Sequence, residues 1–228
     1  MEDLINRTMT TLAENNDAFC SEAHFQHELA LRLAQTGSCK RIVLERSYPD
    51  NSFSSKDLYL DVWIKTMTGE RIGIELKYKT ADASFQIEGE SVNLKNHMAT
   101  DSGRYGFWED VRRLELLIRD GKLESGYVVF LTNAPSYWEF GGQYKNGNIT
   151  QDHNFNMVAG RSVGPTALLA WDLGTEKIGK LTAAGKKHWT VDSPVISLSG
   201  QYTVPVWRNY SKDGKFKYLL MRVLASSR

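Results

Sequence analysis

The sequence predicts an α/β domain with a mixed central sheet. Segments 58–65 and 71–79 alternate apolar and polar residues, with Thr68-Gly69 between them. So short a link joins antiparallel strands, because parallel strands need a crossover of a dozen residues or more. A continuous apolar run at 127–132 reads as a strand buried on both faces. Helical periodicity occurs twice, around Phe25, Leu29 and Leu33, and around Phe107, Val111, Leu114 and Ile118. The order helix, three strands, helix, strand excludes a doubly wound parallel fold, since its first three strands lie too close together for helical crossovers.

The elements follow in order. Residues 1–19 are mostly polar and read as a short helix or an arm. Ser21 is placed to cap a helix running to Gln35, and Gly37 to stop it. Segment 41–48 is a strand, and 49–56 is a loop rich in Ser, Asn and Asp. The hairpin occupies 58–79, and 80–100 reads as irregular or mixed. A helix spans 107–119, with Gly121 beyond its end, and the buried strand follows. Segment 134–192 is rich in Gly, Asn and aromatic residues, with a turn at Asn146-Gly147. Segments 195–198 and 217–223 read as closing strands.

Composition bounds the function classes. The chain has 228 residues, 28 Lys+Arg against 27 Asp+Glu, 41% hydrophobic and 24% charged residues. That excludes disordered, collagen-like and coiled-coil classes, and one domain is expected. A net charge of +1 argues against coating nucleic acid through a bulk positive field but leaves room for a local basic groove. Cys20 and Cys39 form no disulfide framework and fit a reducing cytoplasm. The acidic start, Met1-Glu2-Asp3, lacks the apolar core of a secretion signal. No apolar run approaches the roughly 20 residues that span a bilayer, so no membrane is expected.

The hairpin carries the chemistry. Its register is set by the turn: a three-residue loop, Met67-Thr68-Gly69, wants its last residue in the left-handed conformation, and Gly69 supplies it. Val62 then faces Ile74 and Leu60 faces Leu76, with Leu60, Val62 and Ile64 on one face. Asp61 lies across from Glu75, with Lys77 two residues along on the same side. Facing carboxylates repel unless a cation lies between them. Hard oxygen ligands favour Mg²⁺ or Mn²⁺, and a neighbouring lysine can polarise water and stabilise charge at a phosphoryl centre. A solvated, charged sheet face is the competing reading. The apolar neighbours, Trp63 and Gly73, argue against it.

Asp61, thirteen residues, then Glu75-Leu76-Lys77 resembles the D…(D/E)xK signature of the PD-(D/E)XK nuclease superfamily. The element order also resembles its restriction-endonuclease-like core, α-β-β-β-α-β, here over 20–133, with 134–228 as a β-rich C-terminal extension of a single nuclease domain. Leu60 precedes Asp61 where the signature has proline. Pro49-Asp50 also fits the loose spacing but lies in the loop after the first strand. The resemblance implies a Mg²⁺- or Mn²⁺-dependent nuclease acting on DNA, possible roles being restriction or defence. Asp61, Glu75 and the Leu76 carbonyl would hold the metal, and Lys77 would orient the attacking water. Homodimerisation and partner proteins of a defence system are left open. The alternative is a protein that keeps this fold but only binds nucleic acid or a partner, with 134–192 as its docking surface.

This superfamily often adds an acid from the first helix. Glu22 lies within the buried stripe centred on Phe25, Leu29 and Leu33, with Gln26 beside it; Glu28 lies with His24, Arg32 and Gln35 on the far face. Glu22 is therefore the expected third acidic group, catalytic and metal-binding, and Gln26 its partner. In the second helix Asp110 flanks the core face, while Arg112 and Arg113 read as solvated. Asp101, Arg104 and Tyr105 precede this helix, where backbone donors and Arg104 can hold phosphate; a capping segment with an ordinary ion pair competes. Substrate contacts are thus assigned to Gln26, Arg104, Tyr105 and Lys79.

Other features are set aside. Cys20, His24 and His27 have helical spacing but no fourth zinc ligand nearby. Tyr137, Trp138, Phe140 and Tyr144 could stack bases, though such residues more often build a small core. Lys177, Lys180, Lys186, Lys187 and His188 form a basic run that fits either a DNA backbone or a solvated loop.

Overall fold

The computed structural model describes residues 1–49, 57–87, 90–97, 99–139, 141–143, 147, 149–172 and 195–224. The loop at 50–56, Phe140, Tyr144, Asn146 and the basic run from Lys177 to His188 lie outside the described residues. The first helix, α1 (Glu2–Asn15), buries Leu4, Ile5, Thr8, Met9 and Leu12 along one face. Ser21 caps α2 (Glu22–Gln35), its hydroxyl accepting from His24 N at 3.1 Å, and Gly37 ends it at φ +71°.

Three antiparallel strands follow, β1 (Cys39–Tyr48), β2 (Leu58–Thr66) and β3 (Arg71–Lys79). The turn between β2 and β3 is the expected three-residue loop: Thr66 N donates to Glu70 O at 2.9 Å, and Gly69 stands at φ +95°. Val62 pairs with Ile74 and Trp63 with Gly73, so the register agrees with the turn chemistry.

Segment 80–100 is more regular than its sequence suggests. It holds a hairpin, β4 (Ala83–Ile87) and β5 (Glu90–Leu94), apart from the main sheet. Ser84, Gln86, Ser91 and Asn93 are exposed and alternate with the more buried Ala83, Phe85, Val92 and Leu94, a period-two pattern only five residues long in each strand. Helix α3 (Thr100–Arg119) begins seven residues before Phe107. Gly103 and Gly106 weaken the local helical signal. Gly103 sits where space is tight, since a Cβ there would lie 2.1 Å from Tyr137 Oη; one on Gly106 would make only an ordinary 3.4 Å contact with Lys77 Cε.

After β6 (Ser125–Thr132) come α4 (Ser136–Glu139), a 3₁₀ turn (His153–Phe155), β7 (Ser162–Val163), β8 (Tyr202–Thr203), β9 (Arg208–Asn209) and β10 (Lys217–Val223). The closing strand expected at 195–198 is reduced to one bridge, Leu169 to Ile196. The sheet order is β1-β2-β3-β6-β10-β9, with β3 and β6 parallel and the other neighbours antiparallel. The protein is therefore mixed α/β with a mixed central sheet and, among the described residues, four α-helices. Helices α1 and α2 pack Ile5, Met9, Phe25 and Leu29 against Val62, Ile74, Leu76 and Leu131. On the other face α3 packs Phe107, Trp108 and Leu114 against Val128 and Phe130, together with Phe155 and Met157. Indole N–H groups tie this region down: Trp108 donates to Phe155 O at 3.0 Å and Trp207 to Met157 O at 2.9 Å. Among the described residues no helix is long and apolar enough to cross a membrane.

One expectation about the hairpin fails. Leu60 does not share a face with Val62 and Ile64. It packs on the α3 side beside Leu114 and Gly73, while Val62 and Ile64 face α2. Alternation breaks at Asp61. The β1–β2 ladder pairs Leu44 with Val62 and Arg46 with Leu60, but skips Glu45 and Asp61, and Glu45 stands at φ +49°. A break of this kind re-aims a side chain.

Candidate active site

The break in β2 gives Asp61 its position. Beyond Val62–Ile74 the regular pairing of β2 with β3 stops. Leu76 N donates instead to Asp61 Oδ2 at 2.6 Å. Two residues further along β3, Tyr78 N donates to Glu22 Oε2 at 2.7 Å. Carboxylates from β2 and α2 thus replace the missing strand as acceptors, through charge-assisted hydrogen bonds. Gln26 fills the break from α2, donating through Nε2 to Asp61 O at 2.7 Å and to Glu45 Oε1 at 2.6 Å. Gln26 is buried because it satisfies this broken ladder.

Glu75 and Lys77 point to the α3 side. Lys77 Nζ lies 2.6 Å from Asp110 Oδ2 and 3.4 Å from the Leu76 carbonyl. Arg113 reaches Asp110 Oδ1 at 3.2 Å and Glu75 Oε1 at 3.3 Å, and also donates to Tyr59 O. Glu75 is 1% exposed, and its Oε1 is buried without a hydrogen bond. The result is a buried group of three carboxylates, Asp61, Glu75 and Asp110, with two cations, Lys77 and Arg113.

Electrostatics follow from that count. Burial pushes the Asp61 carboxyl up to about 6, against the downward pull of the Leu76 N–H and Lys77, with Asp110 adding to the rise. Burial, then Asp110, raise Glu75 well above the usual carboxylate range, although Arg113 opposes them. Burial works against the Lys77 ammonium, yet Asp110, Glu75 and Asp61 together outweigh it and hold its pKa above the ordinary value. Three carboxylates against two cations leave one negative charge in excess. Burial and that excess together raise the Asp61 and Glu75 carboxyls.

The expected residues are only partly brought together. Asp61, Glu75, Lys77 and the Leu76 carbonyl converge. Glu22 lies along the same edge of β3, exposed and held by Tyr78 N rather than beside Glu75. Among the described residues, no three His, Cys, Asp or Glu side chains gather as a metal-binding group. The donors present are two carboxylates and one carbonyl, all hard oxygen, including the unbonded Glu75 Oε1. That set fits Mg²⁺ or Mn²⁺ with water completing the coordination.

Arg104 and Tyr105 are placed elsewhere. The Arg104 side chain is 1% exposed, bonded to Asp152 Oδ2 at 2.8 Å and to Ser136 O at 2.6 Å. Tyr105 packs edge-on against Phe155 and beside Trp171. Both join α3 to the C-terminal part, so the expectation of substrate contacts fails for them. Tyr137 is fully buried against Phe130 and serves as core. Lys79 is half-buried and lines a cleft of about 700 Å³ at the C-terminal end of β3. That cleft includes Glu22 in its wall but not Asp61 or Glu75, so it adjoins the carboxylate pair rather than containing it.

Asp110 and Arg113 are the residues that sequence reasoning undervalued. A signal existed: Gly106, Asp110 and Arg113 fall within one 100° sector of α3 beside its apolar face. Comparison of the chain with models of protein families, with curated proteins and with solved structures gives no match.

Proposed function

We propose that this chain is a metal-dependent nuclease that hydrolyses phosphodiester bonds of DNA, with a restriction-endonuclease-like core of the PD-(D/E)XK type. One observation carries the reading. At the break in the β2–β3 ladder, the Asp61 carboxylate takes Leu76 N–H at 2.6 Å, beside Glu75 and one residue before Lys77. This is the D…ExK arrangement expected of such a site, produced by a local distortion that has no other evident use.

Asp61, Glu75 and the Leu76 carbonyl would hold Mg²⁺ or Mn²⁺, with Glu22, two residues further along β3, assisting through water. When bound, the ion neutralises the carboxylates and stabilises charge on the phosphoryl oxygens. Lys77 orients the attacking water and offsets charge at phosphorus. Asp110 holds its ammonium, and Arg113 ties Asp110 to Glu75. The α3 side excludes bulk water, which strengthens each of these interactions.

The test is cleavage of DNA by wild type, Asp61→Ala and Lys77→Ala with Mg²⁺, Mn²⁺ or EDTA. Each substitution is expected to lower turnover at least about 10²-fold, comparable to removing one charge-stabilising group elsewhere. Cleavage that survives both substitutions overturns the proposal.

A second reading rests on the ion pairs. Lys77 is held by Asp110 at 2.6 Å and Glu75 is nearly inaccessible, which suits a protein that binds nucleic acid without cutting it. Metal-independent binding with no cleavage on any substrate would favour that reading.

A further inference from the structure

The cleft at the end of β3 has no role in the charge group just described. Its walls come from the start of α2, the end of β3 and the second strand of the β4–β5 hairpin with the residues after it. Lys79, Lys95 and His97 lie on those walls, and among the described residues none has a carboxylate within ion-pair distance. Lys95 and His97 are exposed and Lys79 is half-buried. The hairpin base is fixed rather than loose. Thr80 Oγ1 donates to Lys95 O at 2.9 Å, His97 N to Thr80 O at 2.8 Å, and Ala81 N to Asn133 Oδ1 at 2.7 Å.

Position and size define what could enter. Lys79 follows Lys77 by two residues on β3, and strand geometry separates them by about 6–7 Å on one face. That matches the step between successive phosphates of an extended strand. A volume of about 700 Å³ corresponds to a cube about 9 Å on a side. The two backbones of a duplex stand about 12 Å apart across the major groove, so a cleft of this width takes one of them and not both. Of the two rings on the wall, Tyr78 is 7% exposed and accepts a hydrogen bond from Phe19 N, so it cannot stack on a base, while His97 is exposed and offers its imidazole nitrogens to a phosphate. The cleft therefore suits a sugar–phosphate backbone and is indifferent to sequence. Glu22, the one acid on the wall, sits at the end nearest Asp61, with one carboxylate oxygen given to Tyr78 N.

We infer that this cleft guides a single strand of nucleic acid past the Asp61–Glu75 site, with Lys79, Lys95 and His97 holding successive backbone phosphates. The inference rests on the nuclease reading for its direction, but it can be tested apart from it. Binding of a fluorescein-labelled single-stranded DNA oligonucleotide is measured by anisotropy in EDTA, from 0.05 to 1 M salt, for wild type, Lys79→Ala, Lys95→Ala and the double variant. Lys122→Ala, exposed and remote in sequence, is the control.

Each cleft substitution should reduce the salt slope by about 0.7 and weaken binding roughly fivefold at 0.1 M salt relative to 1 M, the counterion release of one single-strand contact. Lys122→Ala should bind as wild type, and duplex DNA should compete poorly. Unchanged affinity and slope in the double variant, absence of single-strand binding by wild type, or equal competition by duplex overturns the inference. If wild type cleaves DNA but the double variant binds normally, the cleft role fails and the nuclease reading stands. If Lys95-dependent binding occurs without cleavage under any metal, the nuclease reading fails and the cleft role stands.

Discussion

Replacing Arg104 by methionine should unfold this protein more readily rather than weaken its hold on a substrate. The Arg104 side chain is 1% exposed and its partner Asp152 only 7% exposed. Removing the guanidinium deletes the 2.8 Å bond to Asp152 Oδ2 and the 2.6 Å bond to Ser136 O, and strands a carboxylate in the interior. Methionine replaces much of the apolar volume, so the cost is mainly electrostatic. Breaking one side of a buried pair costs about 3–5 kcal/mol. For a chain of this length, about 2–4 °C of melting temperature is lost per kcal/mol, so a fall of roughly 6–20 °C is expected. Thermal and urea unfolding followed by circular dichroism would measure it. The double variant Arg104→Met/Asp152→Asn, which no longer buries a lone charge, should recover at least half of the loss. A variant with unchanged melting temperature but a raised KM for DNA would refute this reasoning and restore Arg104 to the substrate.

Asp61 makes stability depend on pH in an unusual direction. Its folded pKa of about 6 lies above the unfolded value of 3.8, so the folded state binds the proton more tightly. The fold is then most favoured below pH 4 with respect to this group and loses roughly 3 kcal/mol as pH rises through 6. Asp61→Asn should remove that slope and unfold at higher urea than wild type at pH 8 in EDTA. Identical pH profiles for the two proteins would contradict it. Gly126→Ala would place a Cβ 2.9–3.1 Å from three Leu114 atoms, one of them the rigid Cβ, and should cost about 1–3 kcal/mol by denaturant titration. Ser21→Ala should lose about 1 kcal/mol of stability by removing the hydroxyl that accepts from His24 N, measurable in the same titration.

Much of this fold is legible in the amino-acid sequence. Apolar spacing around Phe25, Leu29 and Leu33 fixed α2, with Ser21 and Gly37 at its ends, because caps and periodicity are local properties. Gly69 set the β2–β3 turn, and the turn set the register, so Asp61, Glu75 and Lys77 could be placed on one hairpin from sequence alone. Glu22 and Gln26 were separable from Glu28 by helical angle: Glu22 reaches the edge of β3 at Tyr78 N, and Gln26 reaches the break between β1 and β2. The β4–β5 hairpin was missed although Ser84 and Gln86, and Ser91 and Asn93, alternate with apolar residues, because each strand is only five residues long and lies apart from the main sheet. So was the early start of α3, where Gly103 and Gly106 oppose helix locally and Gly103 is required because Tyr137 needs the space.

What the sequence by itself determined is which side chains lie next to one another along a helix or strand: the caps, the turn and the D…ExK spacing. Only the tertiary structure decided which charges share a buried volume. Asp110 and Arg113 approach Glu75 and Lys77 because α3 packs across β3, and Arg104 turns inward because the chain after β6 covers it. The break at Asp61 belongs to both levels. Its residue is written in the hairpin, but the distortion exists because Glu45 adopts a positive φ and Gln26, from a different element, satisfies the exposed carbonyl. Buried polar groups require partners, and those partners come from wherever the fold brings them.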